Sequence, residues 1–201
     1  MDLTKEIITH YDMLVDEEND PVRDPQPLQE YMDKWDGEDF ISQMELNSEK
    51  SVLELGVGTG RLAVRVAPRC GRFVGIDISP KTVERAKENL AGVSNHSIIC
   101  ADFMELQMKP VFDVVYSSLT FMHICDKQKA VLQVSRFLTA GGRFVLSIDK
   151  NQSDFIDMGT RKIKIYPDRE DEIEACIKLA GLQLVLKFET EFAIIFVSEK
   201  E

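Results

Sequence analysis

The segment Val52-Leu53-Glu54-Leu55-Gly56-Val57-Gly58-Thr59-Gly60-Arg61-Leu62 places three glycines at alternate positions between an apolar run and a helix-forming run. Glycine allows a sharp backbone bend and lets a ligand approach without meeting a Cβ. The helix start that follows offers free amide N–H groups to polar ligand atoms. By itself such a pattern can be no more than a tight turn. Two further acids strengthen it. Asp77 ends the run Val74-Gly75-Ile76-Asp77, at about the 20-residue distance from the first glycine where a carboxylate can accept from ribose hydroxyls. Asp102, in Cys100-Ala101-Asp102-Phe103, ends the next run beside an aromatic ring. If each run is a parallel strand, Glu54, Asp77 and Asp102 converge at one sheet edge, where ligands of open α/β sheets bind.

The glycine spacing is G-x-G-x-G, not the G-x-G-x-x-G of dinucleotide binders, and no Lys-Ser/Thr phosphate loop is present. A surplus of acids suits a nucleoside ligand that lacks phosphates and carries a positive centre. S-adenosylmethionine, with its sulfonium and ammonium groups, matches that description better than a pyrophosphate does.

The elements that must position these residues follow from short β-branched and aromatic runs alternating with capped helices. Strands are expected at Ser51–Leu55, Arg72–Ile76, Ser97–Cys100, Phe112–Ser117 and Gly142–Ile148. Ser79-Pro80, Asp126 and Asp168 read as starts of helices, and Gly141-Gly142 as the stop of the middle one. A helix is expected from Arg61 to about Ala67, and another over Leu28–Met44 with Gly37 breaking it. Two final runs, Leu182–Phe188 and Phe192–Val197, read as a hairpin, so one of them must run antiparallel to its neighbour. The expected fold class is α/β: a doubly wound, mostly parallel seven-stranded sheet with an antiparallel C-terminal edge hairpin. At 201 residues the chain is expected to form one domain. Its parts would be an N-terminal helical lid (1–47), a ligand-binding core (48–149), a lid insertion (150–167) and a C-terminal helix and hairpin (168–201).

Glu54-Leu55-Gly56-Val57-Gly58-Thr59-Gly60, Val74-Gly75-Ile76-Asp77, Ala101-Asp102-Phe103 and Phe112-Asp113-Val114-Val115-Tyr116-Ser117 together resemble the successive motifs of class I S-adenosylmethionine-dependent methyltransferases. The resemblance runs from about Ser51 to Val197 and implies the Rossmann-like methyltransferase fold. It implies that Glu54 and Gly56 hold the amino-acid end of the cofactor, with Gly58 and Gly60 completing the bend. It further implies Asp77 on the ribose, Ile78 against the adenine, Asp102 on the adenine amino group beside Ala101 and Phe103, and Ser117 and Ser118 on the methyl side. The run Ser118-Leu119-Thr120-Phe121 departs from the Asn/Asp-Pro-Pro-aromatic pattern of base and amide nitrogen methylation, and no Pro-Cys nucleophile is present. The implied acceptor is a small molecule methylated on O, N or C. The alternatives are a cofactor-binding protein without catalysis and, disfavoured by the glycine spacing and the hairpin, an NAD(P)-dependent oxidoreductase.

His123, just beyond the fourth core strand, is the candidate general base. Tyr11 and Trp35, each an apolar ring with a polar handle, are the aromatic candidates to close over the cofactor. The formal net charge of −11 argues against a nucleic-acid partner. No apolar run reaches a membrane span, and the start Met1-Asp2-Leu3-Thr4-Lys5-Glu6 lacks signal-peptide character. Cys70, Cys100, Cys125 and Cys176 show no metal-ligand spacing, so no metal and a reduced, cytoplasmic setting are expected.

Overall fold

A computed structural model describes residues 3–109 and 111–201; Met1 and Asp2, part of the acidic start, lie outside the described residues. Seven strands form one sheet: β1 (Ser51–Leu55), β2 (Arg72–Asp77), β3 (His96–Cys100), β4 (Phe112–Ser118), β5 (Leu138–Asp149), β8 (Leu182–Glu189) and β9 (Ala193–Lys200). Their order is β3-β2-β1-β4-β5-β9-β8. The first five are parallel, and β9 runs antiparallel to both β5 and β8. This is the doubly wound sheet with a reversed strand near its edge that the sequence implies. A separate two-stranded ribbon, β6 (Phe155–Asp157) with β7 (Lys162–Lys164), occupies the expected insertion.

Side chains alternate across a strand, and that alternation divides the core in two. Leu53 and Leu55 join a cluster with α6 (Lys127–Phe137) and α7 (Glu170–Leu179). Val52 faces the other way, toward α3 (Gly37–Ser42), α4 (Ala63–Val66) and α5 (Pro80–Asn89). Two N-terminal helices, α1 (Leu3–Asp16) and α2 (Gln26–Met32), precede these. No described helix is long and apolar enough to cross a membrane.

The helical stretch over Leu28–Met44 is broken at Gly37 as expected: α2 ends at Met32, and Gly37, at φ +74°, opens α3, which Asp36 caps by accepting from the Gly37 amide. Three other local expectations change. The helix after the glycine loop is shorter than expected, because Pro68 sits in the 3-10 turn Ala67–Arg69 that follows α4. α6 ends at Phe137, ahead of Gly141-Gly142, which lie inside β5. Asp168 does not cap α7, whose N-cap is Arg169; its carboxylate is buried against Lys127 instead.

The register brings the chemistry to one edge. Glu54 lies level with Gly75 on one side and Tyr116 on the other, and Asp77 with Cys100. The chain winds from β1 out to β2 and β3, then returns to place β4 on the opposite flank of β1. That reversal leaves a crevice at the strand ends, directly over the glycine loop.

Candidate active site

The crevice is a cavity of about 740 Å³, floored by the glycine loop and roofed by α1. Gly56 bends the chain at φ +75°, and its amide donates to the Ile76 carbonyl at 2.8 Å. A Cβ there would overlap the Thr120 side chain, so only glycine fits. Gly58, at φ +53°, faces open space: no atom lies within 4 Å of where its Cβ would stand. The two residues thus split the work, one admitting a neighbouring loop and the other leaving room for a ligand.

Asp77 closes β2 and is fixed by two backbone donors, the Gly58 amide to Oδ2 and the Ser79 amide to Oδ1, each at 2.9 Å. Burial raises its affinity for a proton above the usual carboxylate range, against the pull of those amides. Each oxygen retains acceptor capacity toward the cavity, which suits paired hydroxyl donors. Ile78, Ala101 and Phe103 add an apolar wall beside it, and exposed Asp102 stands at the rim.

Glu54 lies deeper. Its Oε2 accepts from the Tyr116 hydroxyl at 2.8 Å, and burial pushes its carboxyl up to about 8, with the Tyr116 bond and nearby Arg61 opposing. Its raised folded value sets the sign of a pH effect: stability present below 4.5 is lost as pH rises through about 8. Thermal melts of ligand-free Glu54→Gln against the wild type should therefore diverge in the variant's favour from pH 4.5 to 8 and level off above. Parallel melting curves across that range would contradict it.

Arg61 carries the loop's cation. Its guanidinium takes a two-pronged grip on the fully buried carboxylate of Asp36, with Nη1–Oδ1 at 2.9 Å. Asp36 also accepts from Ser118 Oγ at 2.8 Å and the Gly37 amide at 2.6 Å. The N-terminal segment, the glycine loop and the end of β4 are joined at this carboxylate.

α1 crosses the mouth of the cavity with Leu3, Ile7, Tyr11, Leu14 and Val15 facing inward. It is tied down by polar contacts. Ser79 Oγ donates to Asp12 at 2.7 Å, and Arg161, from the insertion, pairs with Glu17 at 2.7 Å and donates to His10 Nδ1 at 2.9 Å. Tyr11 Oη lies 2.7 Å from His123 Nε2. Burial is the main reason His123 titrates low, at about 4, helped by His10 and Lys127. Its Nδ1 is buried without a partner.

The cavity walls therefore bring together Tyr11, Glu54, Gly56, Gly58, Asp77 and Ile78 with Ala101, Asp102, Phe103, Ser118 and His123. Three candidates lie elsewhere. Strand alternation turns Ser117 into the sheet, where its hydroxyl donates to the Leu55 carbonyl at 2.9 Å. Gly60 is buried, with the Ala63 and Ala86 side chains 3.8 Å from its Cβ position. Trp35 packs at a tilt against Phe192 (4.7 Å between centroids) and edge-to-face with Tyr31 in a separate, shallower cleft. Sequence reasoning overlooked the Arg61–Asp36 pair, because nothing local links residues 25 positions apart, and also Leu119, a cavity-wall leucine at φ +56°.

A family model described as a methyltransferase domain matches residues 46–193. An uncharacterised methyltransferase of Anoxybacillus flavithermus is 32% identical over 123 residues, covering 59% of this chain and 57% of that protein. A malonyl-[acyl-carrier protein] O-methyltransferase of Ilyobacter polytropus is 30% identical over 107 residues, covering 52% and 40%. The chain thus spans about half the length of the curated relatives it matches. Among solved structures, magnesium protoporphyrin IX methyltransferase from Synechocystis PCC 6803 with bound S-adenosylhomocysteine superposes with a TM-score of 0.80 over the whole of both chains, at 16% identity, a likeness of fold. The chain belongs to the class I S-adenosylmethionine-dependent methyltransferase family.

Proposed function

We propose that this protein is an S-adenosylmethionine-dependent methyltransferase whose acceptor is a small molecule held between the glycine loop and α1. The observation that carries it is the pairing of Asp77 with Gly58: a buried carboxylate on the cavity wall tied to a loop glycine that opens into the cavity. The donor set suits this cofactor. Asp77 would accept from the ribose hydroxyls, Ile78 and Phe103 would flank the base, and buried Glu54 would give up its proton on binding and face the ammonium group as a carboxylate. Bound there, S-adenosylmethionine supplies a methyl group on a positively charged sulfur, which departs as a neutral thioether.

The remaining work belongs to the chain. α1 excludes water and holds the acceptor, and good orientation alone accounts for effective molarities of ~10⁵ M or more. The acceptor's proton passes to the Tyr11 oxygen as the Tyr11 proton moves to His123 Nε2. Burial pushes His123 down to about 4, so the ring is neutral across the neutral range with the Nε2 lone pair free to hold the Tyr11 hydroxyl, and it is a weak base that takes the proton only as the methyl transfers. Residues 1–47 and 150–167 act as the lid, joined at Arg161, with 48–149 as the cofactor-binding core. The net charge and the four free thiols, two of them exposed, support a cytosolic reaction without nucleic acid.

His123→Gln should lower turnover by about 10²–10⁴-fold, the usual range for general-base removal, while leaving S-adenosylhomocysteine affinity intact. The acid limb of the wild-type pH profile should fall near 4, not near the ordinary histidine value of 6.5. Calorimetry with S-adenosylhomocysteine, followed by transfer of labelled methyl to an acceptor panel, tests the whole assignment. Absence of binding refutes it, and binding without transfer to any acceptor favours a non-catalytic cofactor-binding protein.

A further inference from the structure

α6 begins with a lysine, where the free amides of a helix start favour an anion. Lys127 is nevertheless buried, and so is its ion-pair partner: both side chains are 2% exposed, with Nζ 2.6 Å from Asp168 Oδ1. Three oxygens surround the ammonium, because Nζ also donates to the Tyr166 carbonyl at 2.9 Å and to the Phe121 carbonyl. These partners come from three separate segments. Phe121 opens the 3-10 turn Phe121–His123, Tyr166 follows β7 on the cavity wall, and Asp168 precedes α7. A second tie joins the first two, the Tyr166 amide donating to the Met122 carbonyl at 2.7 Å.

Stability is a poor reason for such a pair, since apolar residues of similar volume commonly do as well or better. Its distinctive product is geometric. It locks the turn that carries His123 to the strap that carries Tyr166, on the acceptor side of the cavity. We propose that Lys127, held by Asp168, is a positioning residue for proton transfer: it fixes the Phe121–His123 turn so that His123 Nε2 stays on the Tyr11 hydroxyl. The proposal rests on the methyltransferase reading of this cavity.

The groups facing the imidazole fit this role. From α1 come Tyr11 and His10, the latter held by Arg161; from α6 comes Lys127. His10 and Lys127 both disfavour a charged ring at position 123, adding to burial. Lys127 thus fixes the place of the ring and adds the smallest share to the burial and His10 charge that keep it neutral.

The test separates position from bulk stability. K127M alone leaves the Asp168 carboxylate buried without its partner and should unfold at a lower temperature. K127M/D168N removes both charges at nearly constant volume and should regain most of that loss. Two readouts then decide the matter in K127M/D168N. In histidine-labelled NMR titrations of the ligand-free protein, the His123 midpoint should rise above about 4, burial and His10 still holding it below the ordinary histidine range. In turnover, kcat should fall by about 10²-fold, the cost of an ångström-scale misplacement, with the cofactor KM unchanged. A folded K127M/D168N with the wild-type His123 midpoint and wild-type kcat overturns the proposal. Should that variant not fold, K127R decides, because a planar guanidinium cannot place one nitrogen against all three oxygens. A fall in kcat at constant cofactor KM supports positioning, and wild-type kcat in K127R overturns it. If the wild-type protein binds no S-adenosylhomocysteine, the cofactor reading fails by itself, and a crystal structure of K127M/D168N still judges Lys127 by whether His123 Nε2 stays at 2.7 Å from the Tyr11 hydroxyl, which overturns the proposal, or moves away, which supports it.

Discussion

Asp77→Ala is expected to weaken S-adenosylhomocysteine binding by about 10²–10⁴-fold in calorimetry. The magnitude follows from the two ribose hydroxyls assigned to this carboxylate. Hydrogen bonds to a charged group are worth about 1.5–3 kcal/mol each, and 1.4 kcal/mol is tenfold in affinity. The substitution also frees the Gly58 and Ser79 amides, each now bonded at 2.9 Å, so the glycine loop loses its tether to the end of β2. Asp77→Asn should fall between the two, since it keeps one acceptor oxygen but turns an NH2 toward a backbone donor. Unchanged affinity in Asp77→Ala would remove this residue from the site.

Gly56→Ala should be the most damaging small substitution for the fold. The left-handed conformation at φ +75° costs a non-glycine residue about 1–2 kcal/mol. The new Cβ would also lie 2.6 Å from Thr120 Cγ2 and 2.7 Å from its Cβ, and overpacking of that kind costs about 1–3 kcal/mol. Together these give a loss of about 2–5 kcal/mol, read from urea unfolding, against a total stability on the order of 5–15 kcal/mol. The Gly56→Ala, Thr120→Gly double variant should recover the steric part and keep the backbone strain. A loss below about 0.5 kcal/mol, the scale of ordinary surface changes, would show that the loop yields freely there.

What the sequence disclosed depended on whether the signal was local. β1 runs over the expected residues, and the ends of β2, β3 and β4 shift by no more than one residue, because short β-branched runs flanked by glycine or a capped helix have few other options. Ser79 and Asp126 cap their helices as local chemistry dictates, accepting from the Thr82 and Lys129 amides. Asp168 shows where this logic stops: the same residue type, two positions before a helix, is claimed by a buried lysine 41 residues away in sequence. Trp35 shows it again, since its ring follows Phe192, a residue of the distant hairpin turn. Lys127 did carry a readable anomaly, a cation at a helix start, which propensity alone does not explain. Tyr11 and His123 were separately legible as a ring with a handle and a histidine past β4. Their contact across 112 positions belongs to the tertiary fold.

The central assignment, a nucleoside seated on Asp77 beneath α1, is tested most directly by a crystal structure of the protein with S-adenosylhomocysteine. The ribose hydroxyls are expected on the Asp77 carboxylate, the base beside Ile78 and Phe103, and the amino-acid end over Gly56 and Glu54. A nucleoside found in any other place, or Asp77 turned away from it, would contradict the assignment.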